Sequence, residues 1–224
     1  MKNIRSQRLE QIFSNLGNHK ILILGDLMLD EYIWGNVSRI SPEAPVPVVE
    51  IVEESLKLGG SANVALNVKA LEDVPLLVGV VGKDRNSERL KEILNNSRIS
   101  SQGVFMDENR QTTVKTRIIA HSQQVVRADR ENTDELSTDM TFKLIDFIKK
   151  KIIEEKISAL LISDYGKGVI SFNLLNEVIR LAKENNIFIS VDPKETHFMN
   201  YKNVSLITPN HNEAGFAYGK RIKD

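Results

Sequence analysis

The 224-residue sequence contains no cysteine, so disulfide bonds, thiolate metal sites and cysteine nucleophiles are excluded. No stretch approaches the roughly 20 consecutive apolar residues that a membrane-spanning helix needs. The N-terminal segment also lacks the continuous apolar core and the small-residue cleavage site of a secretory signal. We therefore expect a protein of the reducing cytoplasm, without a membrane partner.

Neither sign of charge is in excess, because 30 lysines and arginines are balanced by 30 aspartates and glutamates. General binding to nucleic acid or to an anionic membrane surface usually requires an excess of positive charge. The balance therefore argues against nucleic acid as a partner. Hydrophobic residues make up 41% of the chain, which at this length suffices for one sizeable core.

Several motifs of nucleotide-binding proteins and hydrolases are also missing. The chain has no G-x-x-x-x-G-K-[ST] phosphate loop and no G-x-G-x-x-G dinucleotide fingerprint. It also has no G-x-S-x-G nucleophile elbow. The histidines lack metal-ligand spacing, and we interpret each as a surface or loop residue. They are His19, His121, His197 and His211.

Apolar runs of strand length alternate with helical patterns, most clearly in the C-terminal third. Such alternation predicts an α/β fold in which helices cover both faces of a parallel sheet. The runs expected in this sheet are Ile21–Leu24, Leu76–Val81, Ile157–Ile162, Ile187–Val191 and Val204–Ile207. We expect a single α/β domain over residues 1–224.

A second, smaller β-sheet is predicted as an insertion in this domain. Its candidate strands are β-rich and flanked by polar residues, which is typical of half-exposed hairpins. They are Tyr32–Trp34, Val48–Val52, Val104–Met106, Thr113–Ala120 and Gln124–Ala128. The insertion would then come in two pieces, at about residues 30–53 and 104–129.

A pair of glycines, Gly59 and Gly60, runs directly into a predicted helix that begins with Ser61 as its N-cap. Glycine can adopt positive φ and lets a ligand approach the backbone closely. The N–H groups of the first helical turn suit an anion or a hydroxyl-rich ligand. Asn63 offers both a donor and an acceptor there. The same stretch is also compatible with a tight turn before an ordinary core helix.

Polar or charged groups follow each of the five predicted parallel strands. Ligands of open parallel sheets bind beyond the carboxyl ends of the strands, so these groups are expected at one edge. They are Asp26, Lys83-Asp84, Ser163–Gly168, Asp192–Lys194 and Thr208–Glu213. Two lysines in this set, Lys167 and Lys194, lie beside glycine or proline and indicate a polyanionic ligand.

Four stretches together resemble the ribokinase-like, phosphofructokinase-B-type carbohydrate kinases. They are Gly25-Asp26-x-x-Leu29-Asp30, Ser38–Pro47, Gly59–Ala65 and Thr208-Pro209-Asn210-x-x-Glu213. The proline-rich stretch, with Ser163–Gly168 and Asp192–Lys194, is more specific and is similar to the heptose-7-phosphate kinases within this family. The resemblance implies transfer of the ATP γ-phosphate to O1 of D-glycero-D-manno-heptose 7-phosphate, in the biosynthesis of ADP-heptose for lipopolysaccharide.

The resemblance also implies site residues, a sugar phosphate as substrate, and ATP and Mg²⁺ as cofactors. The expected contacts to sugar hydroxyls come from Asp26, Gly59, Gly60 and Asn63. Nucleotide phosphates are expected near Asn210, Glu213, Lys167 and Lys194. Glu213 would hold Mg²⁺, partly through water, because hard cations prefer oxygen ligands and Mg²⁺ keeps several waters.

The inserted sheet resembles the lid sheet of this family, which covers the sugar and often forms a dimer contact. A homodimer through this sheet is therefore expected. Lys115, Arg117 and Arg127 are candidates for binding the 7-phosphate of the sugar. They can equally be exposed charges that protect a strand edge from association.

One part of the family pattern has no counterpart here. The family's general base is an aspartate in a Gly-Ala-Gly-Asp loop, which also forms an anion hole, and no stretch matches it. We expect this base beyond Asp224, so the domain would be incomplete and the chain alone inactive or weakly active, since general-base catalysis is worth about 10²–10⁴-fold. The Val204–Ile207 side of the sheet would then be an unpaired edge.

Two other interpretations stay open. The chain could be a non-catalytic module that binds a sugar phosphate or dimerises, for example half of a split enzyme. It could also be a kinase for a different sugar phosphate.

Overall fold

The computed structural model describes residues 6–222. Its strands are β1 (Lys20–Gly25), β2 (Leu27–Ile40), β3 (Pro47–Gly59), β4 (Val74–Gly82), β5 (Gly103–Asp107), β6 (Thr113–Ala120), β7 (Gln123–Arg130), β8 (Ile157–Ser163), β9 (Phe188–Asp192) and β10 (Leu206–Ile207). Its helices are α1 (Ser6–Ser14), α2 (Gly60–Ala70), α3 (Arg85–Asn96), α4 (Thr138–Glu154), α5 (Phe172–Glu184) and α6 (His211–Tyr218), with a 3-10 helix at Glu195–Asn200.

The main sheet has six strands in the order β10-β9-β8-β1-β4-β5, and all five pairings are parallel. Successive side chains of β1 alternate between two cores. Leu22 and Leu24 pack with residues of α4 and α5, whereas Ile23 packs with residues of α2 and α3. The predicted parallel sheet with helices on both faces is therefore confirmed.

The second sheet, called the lid sheet below, has the order β3-β2-β6-β7. Strand β2 begins one residue after β1 ends, so the chain passes directly from the main sheet into the lid sheet. Strand β2 pairs antiparallel with β3 and parallel with β6. In this register Asp30 lies opposite Lys57 on one side and Lys115 on the other, so these three side chains share a face.

One strand prediction is wrong. Val104–Met106 belongs to β5, which pairs parallel with β4 at the edge of the main sheet. Its Val104 is buried in the core with α2 and α3, and a short apolar run does not reveal by periodicity which sheet it joins. The second piece of the lid sheet is only Thr113–Arg130.

Strand β10 lies at the opposite edge of the main sheet and pairs only with β9 among the described strands. This confirms the edge position predicted for Val204–Ile207, although only Leu206 and Ile207 form the strand. Within residues 6–222, no helix is both long enough and apolar enough to cross a membrane.

Candidate functional site

The carboxylate of Asp26 lies inside the protein, where β1 passes into β2, and only 1% of the residue is exposed. Its Oδ2 accepts hydrogen bonds from the N–H groups of Tyr165 (2.8 Å) and Lys167 (3.2 Å), and its Oδ1 accepts one from Val169 (3.2 Å). Burial raises the pKa of Asp26 above its ordinary value. This differs from the predicted contact with sugar hydroxyls, because the carboxylate is engaged in shaping the loop that carries Lys167.

The two glycines allow this junction to approach α2. The carbonyl oxygen of Asp26 accepts hydrogen bonds from Ser61 N–H (3.0 Å) and Ser61 Oγ (2.9 Å). Gly60 has a φ of +54°, and a Cβ there would overlap the same carbonyl oxygen. A Cβ at Gly59 would overlap the carboxylate of Asp30. Gly59, not Ser61, is the N-cap of α2, and it makes no side-chain capping hydrogen bond.

A cavity of about 350 Å³ opens beside this turn, between the lid sheet and α2. Asp30, Tyr32, Lys57 and Asn63 are its polar lining residues. Asp30 makes an ion pair with Arg117 (2.5 Å), and the cations of Arg117 and Lys57 each lie 5.4 Å from the centre of the Tyr32 ring. The predicted residue Asn63 thus lies in a cavity that also has apolar lining residues, namely Leu56, Leu58, Leu66 and Ile93.

Asp30 is a site residue that sequence reasoning missed. It stands in the same motif as Asp26, four positions later, and only one of the two carboxylates was assigned to the sugar. The alternation of side chains along a strand could have indicated it, because Asp30 shares its face with Tyr32 and Trp34. The rings of Tyr32 and Trp34 stack at 6.2 Å on that face.

Each of the three predicted phosphate-binding cations of the lid sheet is paired with a carboxylate. Besides the Arg117–Asp30 pair, Lys115 lies 3.1 Å from Asp129, and Arg127 donates to both oxygens of Asp129 at 2.9 and 3.0 Å. These side chains come from facing positions of β6 and β7. Carboxylates therefore hold the cations of the lid sheet in place, and an anionic ligand that binds there would compete with these carboxylates.

Lys167 extends from the loop after β8 and forms a 2.8 Å ion pair with Glu131. Lys194 follows β9, and its backbone N–H donates to the hydroxyl of Tyr201 (3.0 Å). The Cγ of Lys194 lies 3.4 Å from the position of a Cβ on Gly166, so the two lysine-bearing loops are in contact. The structure brings these two predicted lysines to the same edge of the sheet.

A buried carboxylate, Asp164, connects the two loops; it belongs to the stretch expected at this edge, but no role was predicted for it. Its Oδ2 accepts from His197 Nδ1 (2.5 Å) and from the Tyr201 hydroxyl (2.6 Å), and its Oδ1 accepts from Gly166 N–H (2.8 Å). The hydrogen bond to Asp164 raises the pKa of His197 above its ordinary value. The four-residue spacing of His197 and Tyr201 could have indicated that these two side chains lie close together. Nothing in the sequence indicated Asp164 as their shared partner.

Asn210 and Glu213 form a capping box at the start of α6. The Asn210 side chain accepts from the N–H groups of Asn212 (2.9 Å) and Glu213 (3.0 Å), and the Glu213 carboxylate accepts from Asn210 N–H (2.8 Å). This is the reciprocal arrangement that satisfies the free N–H groups of a helix start. Both predicted residues are therefore fixed in position at the edge where β10 ends.

The donor groups at this edge fit Mg²⁺. Burial, followed by the negative charges of Glu213 and Asp164, raises the pKa of Asp192. A cation would relieve that concentration of carboxylates, and Mg²⁺ usually takes one or two carboxylates plus waters and phosphate oxygens. Among residues 6–222, no three histidine, aspartate or glutamate side chains form a ready-made metal cage, so the ion would also need oxygen ligands from water or from a bound phosphate.

Comparison with known proteins places this geometry in a family. Residues 18–224 match the family model described as pfkB family carbohydrate kinase. The chain belongs to this family, and its fold is ribokinase-like.

Among curated proteins, the Bifunctional protein HldE of Helicobacter pylori is 46% identical over 194 residues, covering 87% of this chain and 42% of the relative. The Bifunctional protein HldE of Geobacter sulfurreducens is 39% identical over 218 residues, covering 97% of this chain and 44% of the relative. The chain thus spans less than half the length of these relatives.

Among solved structures, the tetrameric inhibited form of phosphofructokinase-2 from Escherichia coli superimposes with a TM-score of 0.70 at 17% identity. That match covers 92% of this chain and 66% of the other. Arabidopsis thaliana ribokinase complexed with ribose and ATP gives a TM-score of 0.65 at 14% identity, with 92% and 64% coverage. At these identities the likeness shows the fold alone.

Proposed function

We propose that this chain carries the sugar-phosphate site and part of the Mg·ATP site of a heptose-7-phosphate kinase. The reaction is transfer of the ATP γ-phosphate to O1 of D-glycero-D-manno-heptose 7-phosphate, in ADP-heptose biosynthesis. The observation that carries the proposal is the polar cavity of Asp30, Lys57 and Asn63, which lies beside the Gly59-Gly60 turn in a pfkB-family fold. The 39–46% identity to the HldE proteins supports the choice of sugar.

Within the cavity, Asp30 and Asn63 hold sugar hydroxyls, and the backbone of Gly59 and Gly60 lets the sugar approach. A carboxylate is a strong acceptor for two neighbouring hydroxyls, and an amide side chain both donates and accepts. In this proposal Asp26 acts indirectly, because it holds the loop that carries Lys167. The contact to sugar hydroxyls that was expected of Asp26 is made by Asp30 instead. The 7-phosphate binds among Lys115, Arg117 and Arg127.

At the carboxyl edge of the main sheet, Lys167 and Lys194 bind nucleotide phosphates, and Asn210 and Glu213 order the Mg²⁺ and its waters. Bound Mg²⁺ would neutralise charge on the phosphates, which is its main role in phosphoryl transfer. The chain's own residues position the two substrates, and positioning with charge stabilisation supplies most of the catalysis in this reaction class. The general base stays a prediction for a segment beyond Asp224.

The lid sheet is proposed as the contact of a homodimer. Its exposed apolar residues include Trp34, Ile51, Val52 and Val126. By the strand register, Trp34 and Val126 lie on opposite faces of the lid sheet, so both faces carry exposed apolar side chains that a partner could cover. A cytoplasmic location also remains a proposal.

Calorimetry tests the substrate. We expect heptose 7-phosphate to bind more tightly than ribose or fructose 6-phosphate, because the lid cations match a phosphate at the far end of a longer sugar. A preference for either alternative sugar would contradict the heptose assignment. The Asn63→Ala variant should lose affinity for every sugar, whereas Asn67→Ala, one turn further along α2, should not.

An ATP-consumption assay on the same chain tests the alternative of a non-catalytic binding module. We expect turnover to be absent or very low for the chain alone. Normal kinase turnover would refute both the non-catalytic module and the prediction of a base beyond Asp224.

A further inference from the structure

One carboxylate, Glu131, joins the lid sheet to the main body of the protein. Its Oε2 lies 2.8 Å from Nζ of Lys167 and 3.5 Å from Nζ of Lys115. Lys115 belongs to β6 of the lid sheet, whereas Lys167 belongs to the loop after β8. A single oxygen atom therefore connects cations from two separate parts of the fold.

The three side chains are largely withdrawn from solvent. The exposed fractions are 15% for Lys115, 17% for Lys167 and 27% for Glu131. Ammonium groups that are this buried need a nearby negative charge. The adjacent ammonium group of Lys167 lowers the pKa of Glu131, so the glutamate supplies that charge at neutral pH.

Glu131 follows directly after β7 and begins a stretch without helix or strand. It is therefore free of the pairing that fixes its neighbours in the sheet, and it can leave without breaking a strand. Lys115 would keep Asp129 as a partner after such a movement, at 3.1 Å.

The proposed function assigns both lysines to phosphate groups, Lys115 to the 7-phosphate of the sugar and Lys167 to the nucleotide, and their shared contact with Glu131 places the two cations next to each other. A phosphate monoester carries a charge of about −1.5 to −2 at pH 7 and offers three acceptor oxygens. It would bind both ammonium groups better than one carboxylate oxygen does, and it would repel a glutamate that stayed in place.

We propose that Glu131 occupies the phosphate position whenever no phosphorylated ligand is bound. It ties the lid sheet to the body through Lys115 and Lys167, and it gives up both lysines when the phosphate group of a ligand arrives. This inference rests on the proposed function, since it assumes that a phosphorylated ligand enters this cleft. Ligand binding would thus replace the Glu131 carboxylate with the phosphate of the ligand, while Lys115 and Lys167 remain the cations of the site.

The test compares Glu131→Gln with a matched control, Glu155→Gln. Glu155 also bridges two lysines, Lys20 and Lys151, at 2.9 and 2.8 Å, and its side chain is 25% exposed. It lies where β1 begins, at the opposite end of the main sheet from the loop of Lys167. Each variant removes one bridging charge and keeps the shape of the side chain, and circular dichroism checks that both are folded.

Binding is measured by calorimetry with heptose 7-phosphate, unphosphorylated mannoheptose and Mg·ATP. We expect Glu131→Gln to bind a phosphorylated ligand about tenfold more tightly than the wild type, corresponding to ~1.4 kcal/mol. A gain for heptose 7-phosphate identifies the sugar phosphate as the displacing group, and a gain for Mg·ATP identifies the nucleotide. Unphosphorylated mannoheptose and the Glu155→Gln variant should show no gain. Equal or weaker binding of every phosphorylated ligand by Glu131→Gln overturns the proposal of an occupied phosphate position.

Hydrogen exchange tests the connection without any ligand. We expect the β6–β7 hairpin to exchange faster in Glu131→Gln than in the wild type, and at the wild-type rate in Glu155→Gln. Unchanged exchange would overturn the connection. If neither the wild type nor Glu131→Gln binds heptose 7-phosphate, the proposed function fails, and the exchange result still decides whether Glu131 joins the two parts.

Discussion

At the scale of single residues, the decisive feature is the division of work among three aspartates. Asp26 and Asp164 are buried and hold loops through hydrogen bonds, whereas Asp30 lines an open cavity. A carboxylate that accepts several backbone hydrogen bonds fixes the chain locally, and here it fixes the loop that carries Lys167. The buried carboxylates of Asp26 and Asp164 therefore fix the loops around the candidate site, and Asp30 lines the cavity itself.

The pair of His197 and Asp164 makes stability depend on pH. The pKa of His197 is raised in the folded protein, so its contribution is complete below the ordinary value of 6.5 and is lost as the pH rises through the folded value. Between about pH 6 and about pH 9, we expect the free energy of unfolding to fall more in the wild type than in His197→Gln. Urea denaturation at several pH values measures this difference.

The control for this prediction is His121→Gln. His121 is exposed, and its Nε2 contacts only the backbone of Val37 within the hydrogen-bond network described. This variant should follow the wild-type pH profile. A His197→Gln profile parallel to the wild type would show that the ion pair with Asp164 does not form.

At the scale of elements, helix α6 combines a structural and a functional signal in the same residues. The asparagine and glutamate of the family motif are also the two members of its capping box. A capping box by itself is a common way to begin a helix. Its place at the end of β10, beside Asp192, is what makes it a candidate for ordering Mg²⁺ and phosphate.

The variant Glu213→Gln separates the two roles. Glutamine can replace glutamate in a capping box, so we expect the free energy of unfolding to change by less than about 0.5 kcal/mol. Mg-dependent binding of ATP should weaken by about tenfold, because the carboxylate is lost. Calorimetry with and without Mg²⁺ measures the second effect, and chemical denaturation measures the first.

Asn210→Ala tests the structural role of the capping box, which Glu213→Gln is expected to leave intact. Loss of an N-cap side chain typically costs about 1 kcal/mol, so this variant should be less stable. If Glu213→Gln binds Mg·ATP as well as the wild type does, the carboxylate serves only the helix start.

At the scale of the whole molecule, two surfaces favour association. The lid sheet exposes Val52 at 72% and Ile51 at 57%, and the main sheet ends at β10, whose Leu206 is 46% exposed. A sheet edge with unpaired backbone groups and exposed apolar side chains invites further pairing. The lid sheet is the proposed dimer contact.

Analytical ultracentrifugation distinguishes these surfaces. We expect the wild type to sediment as a dimer and Val52→Lys as a monomer, because a buried lysine in the lid contact would lack a partner. Leu206→Lys should still form the dimer. It should reduce only the larger species that form at high concentration by pairing at the β10 edge. A wild-type chain that stays monomeric at high concentration would contradict both surfaces.

Much of the architecture was predictable because its signals are local. Continuous apolar runs marked five strands of the main sheet, and all five are present in it. Val104–Met106 was assigned to the wrong sheet because strand pairing depends on distant partners. Ser61 was expected as an N-cap, but its hydroxyl instead donates to Asp26, which lies 35 residues away along the chain.

The positions of several predicted site residues in the fold follow from the sequence, whereas their roles stay predictions. Gly59, Asn63, Lys115 and Lys167 lie where strand order and motif position indicated. The acids that pair with predicted cations, Asp30 with Arg117 and Glu131 with Lys115 and Lys167, were not assigned, because no sequence spacing reveals which residues an ion pair joins.

The sequence by itself determined the family, the order of strands and helices, and the edge of the sheet that carries polar groups, since motif and periodicity are properties of short stretches. Only the tertiary structure decided which acids face inward. The hydrogen bond from Tyr165 to Asp26 spans 139 positions of the chain, and burial at that point comes from the packing of both sheets. A carboxylate becomes structural or accessible according to which N–H groups and cations the fold brings to it, and that is settled only when distant segments meet.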